Sequence, residues 1–477
     1  MKTIPLTLLF LLHFGLLAFS QAYHPVLEPA VCPIKTDPRL VVKYGYLVVP
    51  ENRQRPHGRK VKIPYLFVRR PDQDARRRVS LFTTGGPGYS TTANIDSIGY
   101  QSGLLKYGGT ILFDQRGTKR AQPCLDCPGV EEAIKRSYRT GLNQDSLTRL
   151  AVKACRQNFT RQGIDLSAYN TLESAEDIND LRLALQLDSL NLIGISYSGG
   201  LMLTVARTHP EAVRSLLLNS PLPGYVRYEE DGLLNINEAL EQVFSDATAA
   251  DPARAALRSR FHAYFTSITG KKFTLNYLEK DTRDSLRITY TKQELLDAVV
   301  NRLNSTQVHT LPVVIDDLVQ GRHRAYVREV LDATFAGDPA LSLGMRYSVY
   351  CSEQIAYANP AVEKQQHQVL PWLAGYGFNN VNHALCACWN VKPEPPAVKD
   401  PVYSAVPALV AAGDLDPLCR PFYNQLIKRY LPNAQLLLLH NQGHGPSYTV
   451  DGIDYVERFL AHPYQRLMST SKDLRIE

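Results

Sequence analysis

The stretch LNLIGISYSGGLMLTVART, residues 190–208, constrains this chain more than any other. An apolar run of strand length ends in a turn of glycines and serines. A helical pattern follows until Pro210, which removes a backbone donor and stops it. A second apolar run, Ser215–Asn219, comes next. Strand, sharp turn, helix and strand form a βαβ unit, whose two strands must lie parallel in a sheet covered on both faces.

Other runs fit the same sheet. Val79–Thr83 and Thr110–Phe113 are short and apolar throughout, as strands buried on both sides require. Further upstream, LVVKYGYLVVP from Leu40 and KVKIPYLFVRR from Lys60 flank a polar connection and predict a hairpin. ESAEDINDLRLALQLD, residues 173–188, predicts a helix capped near Ser174, with Ile178, Leu181 and Leu185 on one face.

With 477 residues, the chain is too long for one core of ordinary size, so it needs either two units or one core with a large insertion. From about Tyr225 to Leu343 strand signals give way to helical ones. A proline-rich link, KPEPPAVKDP, then precedes two more strand-like runs, Val406–Ala412 and Gln435–Leu439. Because the strands resume, the expected fold class is α/β: a mostly parallel central sheet, helices on both faces and an inserted helical cap. The expected division is a leader at 1–20, core at 21–224, cap and return linker at 225–400, and the rest of the core at 401–477.

The leader is read from MKTIPLTLLFLLHFGLLAFS: one lysine, an apolar stretch from Ile4 to Leu17, then the small residues Ala18 and Ser20. That stretch falls short of the roughly 20 residues a membrane span needs. A secreted or periplasmic protein without stable membrane insertion is expected. An even count of eight cysteines in an exported chain favours disulfides over metal ligands, and spacing alone leaves the pairing open. The CLDC stretch, Cys124 to Cys127, and the group His383, Cys386 and Cys388 lack the second ligand pair of a zinc site. The net charge of +7 is spread in small basic groups with no nucleic-acid motif, which points away from a nucleic-acid partner.

The chemistry gathers at predicted strand ends. Ser196 sits where strand turns to helix, the position at which a strained bend lifts a hydroxyl clear of the backbone. Ser198 is the alternative, but it would place the bend two residues inside the helix. A serine hydroxyl needs a histidine to take its proton, and the histidine needs a carboxylate to fix its tautomer. In AAGDLDPLCRP, Asp414 and Asp416 follow a buried strand, with Asp416 the closer match. In LLLLHNQGHGP, His444 lies in a glycine-flanked loop, whereas His440 ends the strand itself and reads as structural. TTGGPG, Thr83–Gly88, follows another strand and can present backbone N–H groups to an oxyanion, Gly86 and Tyr197 being the candidate donors.

FTTGGPGYS, LFDQRGT, YNTLESAEDINDLRLAL, GISYSGG, GDLDP and GHG together resemble the peptidase family S33 branch of the α/β-hydrolases, over about Tyr44 to Leu460. Thr84, where prolyl iminopeptidases carry histidine, and SVYCSEQ around Cys351 place the resemblance nearer the tripeptidyl aminopeptidases. It implies Ser196 as nucleophile, Asp416 as orienting acid and His444 as base. It further implies disulfides joining Cys124 or Cys127 to Cys155, and Cys351 to Cys386 or Cys388, with the partner of Cys419 open.

The expectation that follows is an exported serine aminopeptidase acting on peptides, with a small-molecule carboxylesterase or amide hydrolase as the alternative. No metal or organic cofactor is expected. A free amino terminus calls for a carboxylate near the cap, and Glu353 is the first candidate, followed by Glu229 and Glu230. A non-catalytic binding protein on the same scaffold would have lost part of the triad, and none of the three residues is missing. Oligomeric state is open.

Overall fold

The computed structural model describes residues 23–304 and 307–477. The expected leader lies outside them. A ten-stranded sheet organises the chain, in the order Val26–Pro29, Val41–Pro50, Lys60–Arg69, Thr110–Phe113, Val79–Thr83, Leu190–Ile195, Val213–Asn219, Ala408–Gly413, Ala434–Leu439, Leu474–Ile476. Thr110–Phe113 through Ala434–Leu439 run parallel, while the two edges are antiparallel. Successive side chains of a strand face opposite sides. All six residues of Ala408–Gly413 are buried, so both faces of the sheet are covered there.

The expected hairpin is present, Val41–Pro50 pairing with Lys60–Arg69. The helix expected over 173–188 spans Thr171–Ala184, and its cap is Asn170, not Ser174. The Asn170 side chain accepts from the Glu173 amide. Ser174, one turn further in, is already helical, its amide donating to Asn170 O at 3.1 Å, so it lies past the capping position.

Between Asn219 and Ala408 no described residue joins the main sheet. Helices dominate there: those from Tyr228–Ala250 to Arg324–Ala336 surround their own apolar cluster including Leu240, Phe261, Leu296, Ile315 and Trp372, while Leu343–Glu353 and His383–Trp389 pack into the main core with the sheet. The expectation that strands vanish in this region is corrected by a two-stranded hairpin, Phe273–Leu278 with Ser285–Tyr290. Both strands alternate apolar and polar residues, with Phe273, Leu275, Tyr277, Leu286, Ile288 and Tyr290 on the covered face, a period-two signal that the surrounding helical patterns outweighed in the sequence. Among the described residues no helix is long and apolar enough to cross a membrane.

Two disulfides settle the pairing that spacing left open: Cys127–Cys155 and Cys351–Cys386, with Cα atoms 5.8 and 5.2 Å apart. The first joins the helices Pro128–Thr140 and Gln144–Arg161 near their apolar seam. The second ties Leu343–Glu353, the helix that returns the chain from the insertion, to His383–Trp389. Cys32, Cys124, Cys388 and Cys419 are unpaired. His383 is paired with Glu363 at 2.8 Å, and its neighbour Cys386 is in a disulfide.

Candidate active site

Ser196 ends the strand Leu190–Ile195 and caps the helix Tyr197–Thr208 with φ 57° and ψ −127°. A non-glycine residue rarely adopts such a backbone, and strain of this kind persists where the surroundings enforce it. Here they do. The Ser196 amide donates to Asn219 O at 3.0 Å, and its carbonyl accepts from Gly199 and Leu222, each at 2.9 Å.

The second serine of the turn has a different occupation. Ser198 Oγ accepts from the Ile195 amide at 2.8 Å and donates to Thr83 O at 2.8 Å, and the residue is fully buried. Its hydroxyl stitches the elbow to the neighbouring strand. The Ser196 hydroxyl has no such backbone tie.

Asp416 follows the strand Ala408–Gly413 and is buried. Its Oδ1 accepts from the amides of Leu418 and Cys419 at 2.8 and 2.9 Å, which fixes the carboxylate plane. Its Oδ2 lies 2.9 Å from His444 Nδ1. With Nδ1 committed to that acceptor, Nε2 is the nitrogen left to take a proton. Burial opposes charging of His444, but the charge and hydrogen bond of Asp416 outweigh it, and its pKa is raised well above the ordinary value. The neighbouring pair is Asp414 Oδ2 with His440 Nδ1, 3.0 Å apart at the end of the adjacent strand.

The His444 loop is held from two sides. Gly445 N donates to Ser220 Oγ at 3.0 Å, and Asn219 Nδ2 donates to Pro446 O at 2.9 Å. At Gly443 a Cβ would sit 1.7 Å from Leu303 O, so only glycine lets the loop pass under the insertion.

Cys419 completes this cluster. Its thiol is buried near His444 and Ser196, and burial pushes its pKa up. Asn219 joins the elbow to the His444 loop, since its carbonyl accepts from Ser196 N at 3.0 Å and its side chain donates to Pro446 O at 2.9 Å, so both loops meet at one end of the sheet. The sequence marked Cys419 only as a cysteine without an assigned partner.

The glycine-rich loop lies against the elbow. A Cβ on Gly85 would meet Ile195 O at 2.5 Å and Ser196 Cβ at 3.0 Å, so the loop approaches closer than any side chain allows. LFDQRGT explains the loop's shape. Buried Asp114 accepts from Ser90 Oγ at 3.0 Å and from Thr92 N at 3.0 Å, while Gln115 Nε2 donates to Thr84 O at 2.9 Å. Arg116, fully buried, forms a two-point bridge with Asp177, 2.7 Å at each contact, and so ties the motif to the helix Thr171–Ala184.

Comparison with known families fits this arrangement. The alpha/beta hydrolase fold family matches residues 81–297, and the TAP-like protein family matches residues 373–464. The chain belongs to the α/β-hydrolases.

This hydrolase is 26% identical to the tripeptidyl aminopeptidases of Streptomyces lividans and of Streptomyces coelicolor, in each case over 188 residues. The match covers 38% of this chain and spans 35% of the length of those curated relatives. Among solved structures, Est816, described as an N-acyl homoserine lactone degrading enzyme, is 16% identical, with a TM-score of 0.36 over 87% of this chain and 97% of that one.

The three candidate carboxylates of the hydrolase fall in different settings. Glu353 is 2% exposed, and its Oε1 accepts from the Thr171 amide at 3.1 Å and from the Thr171 hydroxyl. It lies under the elbow, not on open surface, and burial raises its pKa to about 7. Glu230 is engaged outward, with Arg227 at 3.2 Å and the Asn359 amide at 2.9 Å.

Glu229 is buried near the foot of the insertion and accepts from Asn379 Nδ2 at 2.8 Å. Burial raises its pKa to about 7. Tyr228 and Tyr350 are buried and lie within electrostatic reach of Glu229. Tyr350 lies in SVYCSEQ, whereas neither Arg346 nor Asn379 carried a motif in the sequence.

Proposed function

We propose that this hydrolase is an exported serine peptidase that releases N-terminal residues or short peptides from peptide substrates. The observation that carries the reading is the Asp416–His444 pair, 2.9 Å apart, in a loop tied through Asn219 to the strained Ser196 at a strand end.

In the proposed reaction, Ser196 Oγ attacks the scissile carbonyl carbon as His444 Nε2 takes its proton. Asp416 steadies the imidazolium, and the amides of Tyr197 and Gly86 hold the oxyanion. His444 returns the proton to the leaving amine nitrogen, the C–N bond breaks, and Ser196 carries the acyl group. Water, deprotonated by His444, then splits the ester and restores the hydroxyl.

Glu229 is the carboxylate best placed to receive a substrate ammonium, because it is buried at the foot of the insertion and its Oε1 has one neutral donor in Asn379. A cationic amine entering there would pull the carboxyl towards its charged form. Residues 225–400, as a cap, would limit entry to chain ends and short peptides. The partial likeness to tripeptidyl aminopeptidases supports peptide substrates, and the two disulfides with the apolar leader sequence support export.

The test is a panel of chromogenic aminoacyl and tripeptidyl amides, with and without a blocked amino terminus, set against short acyl esters. Hydrolysis of free-amino amides, with blocked forms turned over poorly, is the expected result. Turnover of acyl esters alone would assign the chain to the carboxylesterases instead.

A further inference from the structure

Arg346 and Glu353 stand seven residues apart on the helix Leu343–Glu353, two turns and therefore on one stripe of its surface. The two side chains reach different parts of the same site. Arg346 Nη1 donates to Gly86 O at 2.7 Å. Its remaining nitrogens donate to Asn380 Oδ1 at 2.8 Å and Asn379 Oδ1 at 3.3 Å, and the guanidinium lies over the Tyr350 ring at 4.7 Å. A planar group held at three edges and one face has little freedom to turn.

Glu353 reaches the other half. Its Oε1 accepts from the Thr171 hydroxyl, which in turn accepts from Tyr197 OH at 2.8 Å. Tyr197 is the residue after Ser196, and its ring is buried, so this chain of hydrogen bonds fixes the first turn of the elbow helix from below.

The helix itself is clamped to the glycine loop. Ser342 N donates to Gly88 O at 2.9 Å, and Ser90 N donates to Ala340 O at 2.9 Å. A Cβ on Gly88 would sit 2.7 Å from Ser342 O. The Cys351–Cys386 disulfide and a bond from Trp389 Nε1 to Ser348 Oγ at 2.9 Å secure its far side.

We propose that Arg346 and Glu353 are positioning residues of the oxyanion hole, Arg346 holding the carbonyl of Gly86, the residue whose own amide is the donor, and Glu353, through Thr171, setting Tyr197. The proposal rests on the reading that Gly86 and Tyr197 supply the oxyanion donors. On it, the helix returning from the insertion braces both donors at once, and Glu353 serves the elbow, not the substrate amine.

The experiment uses the full chain with a short p-nitrophenyl ester, which carries no amine, and an alkyl boronic acid, whose tetrahedral adduct with serine places an oxygen anion in the hole. Arg346→Ala is expected to lower kcat about 10- to 100-fold with KM within about threefold, since displaced donors weaken transition-state binding more than ground-state binding. Boronate affinity should fall in parallel, and millimolar guanidinium should restore part of kcat. Glu353→Gln keeps the acceptor for Thr171 and should stay within about threefold of wild type, whereas Glu353→Ala should lose about tenfold in kcat.

Unchanged kcat in Arg346→Ala, or a loss of thermal stability with no guanidinium response, would overturn the brace. So would a Glu353→Ala effect confined to KM for free-amino substrates, which would return Glu353 to the amine site. Absence of ester turnover and of boronate binding in the wild type would overturn the hydrolase reading itself, and the brace with it.

Discussion

His444 Nδ1 lies 2.9 Å from Asp416 Oδ2, and the other oxygen of that carboxylate is held by the amides of Leu418 and Cys419. The carboxylate is therefore fixed before it fixes the imidazole. Asp416→Asn would present an amide whose donor end forces the wrong imidazole tautomer, and kcat is expected to fall by about 10³- to 10⁴-fold. Asp414→Asn, which disturbs only the His440 pair, is expected to cost less than about tenfold. Steady-state kinetics on the best substrate checks both.

The same contact sets the pH dependence. In the resting protein, burial resists charging of His444, but Asp416 overcomes it and raises the pKa well above 6.5. A base must be neutral to act, so kcat/KM should rise with pH through that elevated value. The stability term has the opposite sign. A raised pKa means that the folded state holds the proton more tightly, so this contribution is full below 6.5 and is lost as pH rises through the folded value. Melting temperature and kcat/KM, followed over one pH series, should slope in opposite directions, and Asp416→Asn should flatten the contribution to melting.

The two serines of the elbow should separate cleanly. A fluorophosphonate is expected to label the wild type and Ser198→Ala but not Ser196→Ala. Ser198→Ala removes a buried hydroxyl bonded to Ile195 N and Thr83 O, and should cost about 1–3 kcal/mol in denaturant unfolding.

Glu229→Gln should raise KM for free-amino substrates by about tenfold or more while leaving KM for acyl esters near wild type, because a charged partner for the ammonium is lost. Burial holds the Glu229 carboxyl at about 7, so KM for free-amino substrates should fall as pH rises through that value and the site ionises. Above the substrate amine's own pKa of about 8 the affinity should fall again. A KM profile against pH with a free-amino amide and its blocked analogue checks this.

Asp177→Asn tests the frame beneath the site. Arg116 and Arg53 both bridge to Asp177, and the Arg116 and Asp177 side chains are completely buried. Burial opposes ionisation of Asp177, yet the two guanidinium groups hold its carboxyl below the usual range. Removing the charge leaves fully buried Arg116 with Glu173, at 3.3 Å, as its remaining carboxylate, while Arg53 keeps Glu173 and Asp180, and should cost about 3 kcal/mol. The pH sign is opposite to that of His444: this stability is present above the ordinary carboxylate range and is lost as pH falls through the lowered value.

Much of the fold was legible in the residues because its signals are local. An apolar run, a turn of small residues and a helix pattern need only neighbours in the chain, so the sheet strands and the bend at Ser196 could be read directly. Weaker local signals misled. Ser174 looked like a cap, but Asn170, just before the first turn, is the residue whose side chain reaches a free amide. The hairpin Phe273–Leu278 with Ser285–Tyr290 did carry a period-two alternation, but it is two short strands in a long helical stretch, so the helical pattern around it dominated.

By itself, the sequence determined which residue types stand at strand ends and in what order, because backbone preference and hydrophobic periodicity act over a few residues. Only tertiary structure decided which groups meet. Arg346 and Gly86 are 260 residues apart, and Glu353 and Thr171 are 182 apart, yet each pair is joined by a hydrogen bond. No spacing rule encodes such contacts, since a hydrogen bond depends on distance in space, and that distance exists only once the sheet and the returning helix have packed.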